Sequence, residues 1–161
     1  MRMPIIIRPA RAADHAALVE QYLGLNLHQD PITHDRVTDR AGAEESLAAA
    51  EAWVRKTNGV VLVAEVNGRV VGHLFLTFEE APPFVRKELR AYAYIAELFV
   101  RAEARRLGVA RALLEAAERI ARERGVSRIL VSALAGNIPA ETTYERAGFA
   151  AYATELIKKL R

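Results

Sequence analysis

The chain has 161 residues, 52% hydrophobic and 27% charged, a composition typical of one globular domain rather than of a disordered tail, a fibre or a low-complexity array. It has no cysteine and only four scattered histidines, which excludes disulfides and cysteine-rich zinc sites and predicts no metal site. The net charge of +3 favours a small anionic ligand, but acidic residues are interleaved with basic ones, so no nucleic-acid surface is expected. We therefore predict a single domain over residues 1–161.

The N-terminal part of the chain predicts one strand and two helices. Ile5 to Arg8 is a short apolar strand, far below the length of a secretory signal or a membrane span, so we expect a cytoplasmic protein that does not bind membranes. Asp14 and Asp39 are candidate N-cap residues, because each precedes a stretch in which apolar residues recur every three or four positions. Asn58-Gly59 is expected to end the second helix.

A β-hairpin is the clearest local feature of the sequence. Two apolar runs, Val60 to Val66 and Arg69 to Phe78, flank the dipeptide Asn67-Gly68. Asn and Gly accept the positive φ values of a two-residue hairpin turn, so the two runs are predicted to pair. A connection containing Pro82-Pro83 follows, and connections of this length often carry function.

The second half of the chain predicts alternating strands and helices. They are a strand over Tyr92 to Val100, a helix that begins within Arg105 to Arg111 and stops at Gly125, a strand over Ile129 to Leu134, a helix over Pro139 to Arg146 and a last strand over Phe149 to Leu156. The element order is therefore βααβββαβαβ. It predicts an α/β fold of the α+β kind, with a mixed, mostly antiparallel sheet, helices on both faces and a right-handed crossover joining two parallel strands.

The stretch from Arg105 to Arg111 is a candidate phosphate site. It lies where a buried strand turns into a helix, and the first N–H groups of a helix are unpaired and carry partial positive charge. Gly108 and Ala110 leave room against the backbone, while Arg105, Arg106 and Arg111 add charge. A helix start with a solvated arginine cluster is the alternative. No Gly-x-Gly-x-x-Gly or P-loop run is present, which disfavours a dinucleotide-binding or P-loop protein.

A second candidate segment runs from Asn137 to Phe149. Asn137 follows a predicted strand, and Tyr144 lies on the same helical face as Asn137 and Ala140. Gly148-Phe149 closes this helix. Read by themselves, these residues also fit a capping asparagine and a core tyrosine.

Together the two segments resemble the GNAT superfamily of N-acetyltransferases. The acetyl-CoA loop of that family reads Gln or Arg, any two residues, Gly, any residue, then Gly or Ala, which Arg105, Gly108 and Ala110 satisfy. The family's later Asn, Ala, Tyr and Gly-Phe pattern is matched by Asn137, Ala140, Tyr144 and Gly148-Phe149. Over the first ninety residues the resemblance lies only in the order of elements.

The resemblance implies transfer of acetyl from acetyl-CoA, a co-substrate, directly to an amine, with no metal. The pantetheine arm is expected along the predicted fourth strand and the diphosphate on the loop that follows. Asn137 is implied as a pantetheine contact and Tyr144 as the acid that protonates the departing thiolate. The implied acetyl-CoA-binding residues are Leu98, Phe99, Val100, Arg105, Arg106, Leu107, Gly108, Val109, Ala110, Arg111, Asn137 and Tyr144.

Glu97 is the candidate general base. A protonated amine cannot attack a thioester, so a base must take its proton directly or through water. Glu97 is the only carboxylate within the apolar strand from Tyr92 to Val100, and burial would raise its pKa toward neutrality. Relatives place this base differently, at positions held here by Ala96 or Ser132. A β-bulge would decide where Glu97 points, and a role in substrate binding or a position facing a helix remain open.

The acceptor is an amine, expected to be a small molecule more than a protein. His28, Asp30, His34, Asp35 and Asp39, with Glu79 and Glu80, either flank a channel that attracts a cationic amine or form solvated loops. A polyamine, an aminoglycoside, an amino acid and a protein terminus all remain open, as do a monomer and a homodimer. A non-catalytic acyl-CoA sensor and a transferase of another short acyl group are the rival functions.

Overall fold

The computed structural model describes residues 3–161. Five strands and four α-helices follow one another in the order βααβββαβα. The strands are β1 (Ile6–Pro9), β2 (Val60–Val66), β3 (Arg69–Glu80), β4 (Ala91–Val100) and β5 (Ile129–Val131). The helices are α1 (His15–Thr33), α2 (Arg40–Lys56), α3 (Val109–Glu123) and α4 (Ile138–Arg146).

The sheet has the order β1-β2-β3-β4-β5. The first four strands pair antiparallel, and β5 pairs parallel to β4, which confirms the predicted mixed, mostly antiparallel sheet. The hairpin prediction is also confirmed, since β2 and β3 are joined by Asn67-Gly68 with φ values of 52° and 73°.

Helices cover both faces of the sheet, each over its own apolar cluster. On one face α3 packs against a cluster that includes Leu74, Leu76 and Ile95. On the other face α1 and α2 pack against a cluster that includes Val63 and Phe75. We call these the α3 face and the α1–α2 face. Neighbouring residues of one strand divide between them because successive side chains of a strand point to opposite faces.

A β-bulge interrupts β4 next to its exit from the sheet. Glu97 lies opposite Phe75 and Ile95 lies opposite Leu76, so Ala96 is an extra residue without its own partner on β3. Such a bulge changes which face the following side chains occupy. Leu98 and Val100, beyond the bulge, pack toward the α3 face, which leaves Glu97 and Phe99 on the α1–α2 face.

The parallel pairing of β4 with β5 is short. It joins Ala93, Tyr94 and Ile95 of β4 to Ile129, Leu130 and Val131 of β5. Beyond Ile95, the described residues give β4 no partner on that side. The strand predicted over Ile129 to Leu134 is therefore shorter than expected, because the chain leaves β4 after Val131.

The predicted last strand, Phe149 to Leu156, does not form. Phe149 packs its ring on Tyr144 at 5.7 Å between ring centroids, and residues 150–161 are exposed and without regular structure. The large apolar side chains of this segment, Tyr152 and Leu156, stay exposed, so no burial offsets the entropy of ordering the chain. The described sheet has five strands rather than six.

The two predicted N-caps behave differently. Asp39 caps α2 by accepting a hydrogen bond from the Gly42 N–H at 2.7 Å. Asp14 occupies the N-cap position of α1 without capping it; instead its carboxylate pairs with Arg8 at 2.8 Å and accepts from the Arg11 N–H. The ion pair with Arg8 uses the carboxylate oxygens that would otherwise cap α1.

In the part of the chain from residue 3 to residue 161, no helix has an apolar stretch of sufficient length to span a membrane.

Candidate active site

A large open cleft begins where β4 leaves β5. Its volume is about 2140 Å³, and it is bounded by β4, β5, the loop before α3, helix α4 and the facing sides of α1 and α2. It contains nearly all of the site residues expected from the sequence; the exception is Leu107, half exposed in the loop. The fold thus brings the two motif segments to one cleft.

The open edge of β4 provides the first binding element. Residues 97–100 lie in the cleft and have no β5 partner among the described residues. The backbone groups of this edge that point away from β3 need partners, apart from the Val100 carbonyl oxygen, which accepts from Arg105. An extended polar chain such as pantetheine offers such partners. Leu98, Phe99 and Val100 are all half-buried, so this edge is accessible from the cleft.

The loop that leads into α3 provides the second binding element. Gly108 holds the N-cap position with a φ of 89° and no side-chain cap, and a Cβ built there meets no atom within 4 Å. The N–H groups of Val109, Ala110 and Arg111 begin the helix and lack intrahelical acceptors. Arg106 also adopts a left-handed backbone, with a φ of 61°. A strained loop around an open space at a helix start fits a diphosphate.

The three arginines of this loop differ in how they are held. Arg105 donates from Nε to the Val100 carbonyl oxygen at 3.1 Å, which ties the loop to the end of β4. Arg111 pairs with Glu115 one turn along α3 at 2.7 Å, so part of its charge is offset. Arg106 is exposed. All three line the cleft.

Gly108→Glu should raise the Kd of acetyl-CoA by at least about tenfold, because the new carboxylate would occupy and repel the diphosphate position. Gly108→Ala is the matched control, since it adds the same left-handed strain, about 1 to 2 kcal/mol, without the charge. Calorimetry measures both Kd values and circular dichroism checks the fold. Equal weakening by alanine and glutamate would contradict this placement of the diphosphate.

Asn137 contacts another side chain rather than capping α4. It is buried, holds the N-cap position and makes no side-chain cap hydrogen bond. Its Oδ1 lies 3.4 Å from Nε2 of His28 on α1, a long hydrogen bond with that nitrogen as donor. The capping alternative therefore does not apply, and the contact links α4 to α1 across the cleft.

Tyr144 faces the cleft while its ring packs on the core. The ring contacts Phe149 and lies against the α3-face cluster. Burial, together with the negative charge of Glu97, raises the pKa of Tyr144 to about 12. The hydroxyl therefore keeps its proton at neutral pH and can donate it, which a general acid requires.

Glu97 is a carboxyl of the cleft whose pKa lies near neutral pH. Burial raises its pKa to about 7, and the positive charge of Arg36 opposes part of that rise. Near neutral pH the group can therefore both accept and release a proton. The bulge at Ala96 turns it toward the α1–α2 face, which answers the question of orientation left open by the sequence.

Several cleft residues were missed by the sequence analysis, notably Tyr22, Arg36, Trp53 and Tyr94. Burial and the charge of Glu97 both raise the pKa of Tyr22, so this hydroxyl also stays protonated beside the base candidate. The sequence carried one signal for Trp53, because it shares a helical stripe with Ser46, Ala49 and Ala50. In the sequence this stripe is indistinguishable from a helix face that packs on the core, and only the structure shows that it lines the cleft.

The acidic channel suggested for a cationic amine is not found. Of the seven polar residues considered, only His28 lines the cleft. Asp35 pairs with the Arg36 side chain, Asp30 accepts from the Arg36 N–H at 3.0 Å and Asp39 caps α2. Local backbone and arginine partners hold these carboxylates away from the cleft.

Within residues 3–161, no group of three or more His, Cys, Asp or Glu is arranged to hold a metal ion.

Comparison with known proteins identifies the family of the chain. Residues 26–149 match the acetyltransferase (GNAT) family. The chain belongs to that family and is therefore an acyltransferase. No curated protein is significantly similar to it in sequence.

Solved structures share the fold across nearly the whole chain. A transcriptional regulator from Bacillus halodurans is 22% identical with a TM-score of 0.76, over 98% of this chain and 100% of that one. An acetyltransferase from Trypanosoma brucei is 20% identical with a TM-score of 0.67, over 98% and 100%. An aminoglycoside antibiotic 6'-N-acetyltransferase from Acinetobacter haemolyticus is 18% identical with a TM-score of 0.69, over 97% and 99%.

Proposed function

We propose that this chain transfers the acetyl group of acetyl-CoA directly to a primary amine. The observation that carries the proposal is the cleft at the β4–β5 divergence, which holds Glu97 and Tyr144 together beside an unpaired strand edge. Family membership supplies the acyl-transfer chemistry. The open strand edge and the Gly108 loop support acetyl-CoA as the donor, with residues 98–100 and 105–111 and Asn137 as its contacts.

Two side chains would move the protons of this reaction. Glu97, as a carboxylate, removes a proton from the ammonium group of the acceptor, directly or through one water. The freed nitrogen attacks the thioester carbonyl, so that the N–C bond forms, and the nitrogen gives up its second proton to solvent as the C–S bond breaks. Tyr144 donates its proton to the departing thiolate and later recovers one from solvent. The products are the N-acetylated amine and CoA.

Two rival functions share the same cleft. A transferase of another short acyl group would use the same residues, and competition between acyl-CoA thioesters separates it from an acetyltransferase. A non-catalytic acyl-CoA sensor would bind the thioester without turnover. Burial of Glu97 raises its pKa to about 7 and destabilises its charged form, and Tyr144 lines the same cleft. A protein that only binds acyl-CoA has no need of such a carboxyl, so this feature favours catalysis.

Acetyl-CoA should bind the protein with a Kd of about micromolar magnitude, because several backbone donors and three arginines meet one diphosphate. Calorimetry tests binding, and release of free thiol across a panel of primary amines tests turnover. Binding with no thiol release from any amine would favour the sensor. If neither acetyl-CoA nor CoA binds or raises the melting temperature at millimolar concentration, the proposal fails.

A further inference from the structure

Part of the cleft is lined by residues that the proposed acetyl-CoA contacts along β4 and the α3 loop do not include. It lies between α1, α2 and the α1–α2 face of β4. We call it the acceptor pocket and define it by Arg36, Ala49, Ala50, Trp53 and Tyr94, with Glu97 at its inner end. Its walls differ in chemistry, with an aromatic pair on one side and a single cation on the other.

The aromatic wall is formed by Trp53 and Tyr94. Their ring centroids lie 5.7 Å apart at an angle of 37°, and Tyr94 donates to Ser132 Oγ at 3.0 Å, which fixes its ring. Trp53 remains 38% exposed. Ala49 and Ala50 precede it on the same side of α2 and leave space in front of the indole. Two ordered aromatic rings at an open space provide a surface for a flat apolar group.

The cation of the pocket is Arg36, and its orientation is set by its neighbours. Its Nε donates to Gln29 Oε1 at 3.0 Å and its Nη1 pairs with Asp35. Together they engage the Nε and Nη1 N–H groups and offset part of the charge of Arg36, which leaves Nη2 for another partner. The side chain lines the same cleft as Glu97, and its positive charge opposes part of the rise in the pKa of Glu97.

The pocket is poor in negative charge. Among the described residues of α1, α2 and β4 that line the cleft, Glu97 is the only carboxylate, and the nearby Asp30, Asp35 and Asp39 do not line it. A polyamine or an aminoglycoside carries several ammonium groups, and each would need an anionic or polar partner on desolvation. Arg36 would repel them and would instead attract a carboxylate.

The distances along β4 limit the size of the acceptor. Tyr94 and Glu97 are three residues apart, a separation of about 10 Å or less at the usual strand rise. An amine held at Glu97 therefore reaches the aromatic wall with a side chain of only a few atoms and a ring. Arg36 lines the same cleft as Glu97, so an acceptor with its amine at Glu97 would direct its carboxylate to Arg36.

We propose that the acceptor is a free α-amino acid with an aromatic or large apolar side chain. Its α-amino group lies at Glu97, its carboxylate pairs with Arg36, and its side chain lies against Trp53 and Tyr94. This inference depends on the proposed N-acetyltransferase function and narrows it to one substrate class. Arg36 and Trp53 become the specificity residues of the reaction.

The test compares acceptors that differ by one group. L-Tryptophan and L-phenylalanine are assayed for thiol release from acetyl-CoA beside tryptamine and phenethylamine, which lack the carboxylate, and beside spermidine. The amino acids should show kcat/KM at least about tenfold above the matching amines, because a charge-assisted pair is lost without the carboxylate. Binding of L-tryptophan to the complex with CoA, measured by calorimetry, gives a readout that does not depend on turnover.

Two variants connect the preference to the pocket. Arg36→Gln should raise the KM of L-tryptophan and so remove the preference for L-tryptophan over tryptamine. The KM of tryptamine should change by less than about threefold. Trp53→Leu should raise the KM of L-tryptophan while leaving that of L-alanine nearly unchanged. Arg40→Gln is the matched control, since this exposed residue of α2 pairs with Glu44 and does not line the cleft. Thermal melting checks that each variant folds.

The outcomes separate the two proposals. If acetyl-CoA binds and spermidine or tryptamine is acetylated better than L-tryptophan, the acceptor inference is wrong while the proposed function stands. The same holds if Arg36→Gln leaves the preference intact. If acetyl-CoA does not bind, the proposed function and the acceptor inference both fall.

Discussion

Glu97→Gln should lower kcat by at least about 10²-fold while the Kd of acetyl-CoA changes by no more than about threefold. The amide keeps the shape of the carboxyl and removes the basic oxygen, and general base catalysis contributes about 10²- to 10⁴-fold. Stopped assays of thiol release at saturating amine give kcat, and calorimetry gives the Kd. Glu88→Gln is the matched control, because it makes the same change at an exposed position outside the cleft.

The pH profile identifies the role of Glu97 more sharply than the size of the effect. With a pKa of about 7, the wild-type carboxyl is mostly protonated below pH 6 and mostly a carboxylate above pH 8. Turnover should therefore rise through about pH 7 and level off, and this rise should be absent in Glu97→Gln. The groups that face Glu97 are Arg36, Tyr22 and Tyr144, and both tyrosine pKa values are raised away from this range. If the variant instead raises only the KM of the amine and keeps the profile, Glu97 binds the acceptor and the base lies elsewhere.

Stability gives an independent measure of the same pKa. The folded-state pKa of Glu97 lies above its unfolded value of about 4.5, so the stability it contributes is complete below pH 4.5 and is lost as the pH rises through 7. Glutamine does not ionise and escapes that loss. Glu97→Gln should therefore equal the wild type in stability at pH 4 and exceed it by up to about 3 kcal/mol at pH 8. Urea denaturation at the two pH values measures the difference.

The position of Glu97 shows where inference from sequence reached its limit. Strict alternation along β4 would place Glu97 on the same face as Ile95, which packs toward α3. The extra residue Ala96 moves it to the opposite face, where Arg36 and Tyr22 are. Nothing in Tyr94-Ile-Ala-Glu97 distinguishes a bulge from regular strand, because the bulge depends on the pairing register with β3.

Features decided by neighbouring residues were predicted well. The turn at Asn67-Gly68 and the start of α2 at Asp39 follow from local backbone preferences, and the structure confirms both. Features decided by competition between side chains for partners were not predicted. Asp14 pairs with Arg8 of β1 rather than with the start of its own helix, and Asp35 pairs with Arg36. The surroundings of Arg36 depend on contacts of this second kind, so the sequence left open whether the acidic residues flank a channel or lie in loops; of the seven polar residues considered, only His28 lines the cleft.

Tyr144→Phe should lower kcat by about 10²-fold or more, with little change in the Kd of acetyl-CoA. Phenylalanine keeps the ring that packs on Phe149 and the α3-face cluster and removes only the proton donor. Without that donor the thiolate must leave unprotonated or take its proton from water, which costs the contribution of general acid catalysis. Tyr92→Phe makes the same change at a tyrosine outside the cleft and should leave kcat within about twofold.

The alkaline side of the pH profile adds a second criterion for Tyr144. Because its pKa is about 12, the wild type should keep its activity from pH 8 to pH 10, with the tyrosine protonated throughout. Loss of the hydroxyl should lower kcat by the same factor across this range, since no titration of the tyrosine occurs in it. A fall that stays within a few-fold at every pH would assign Tyr144 to packing alone, and water would then be the proton source for the departing thiolate.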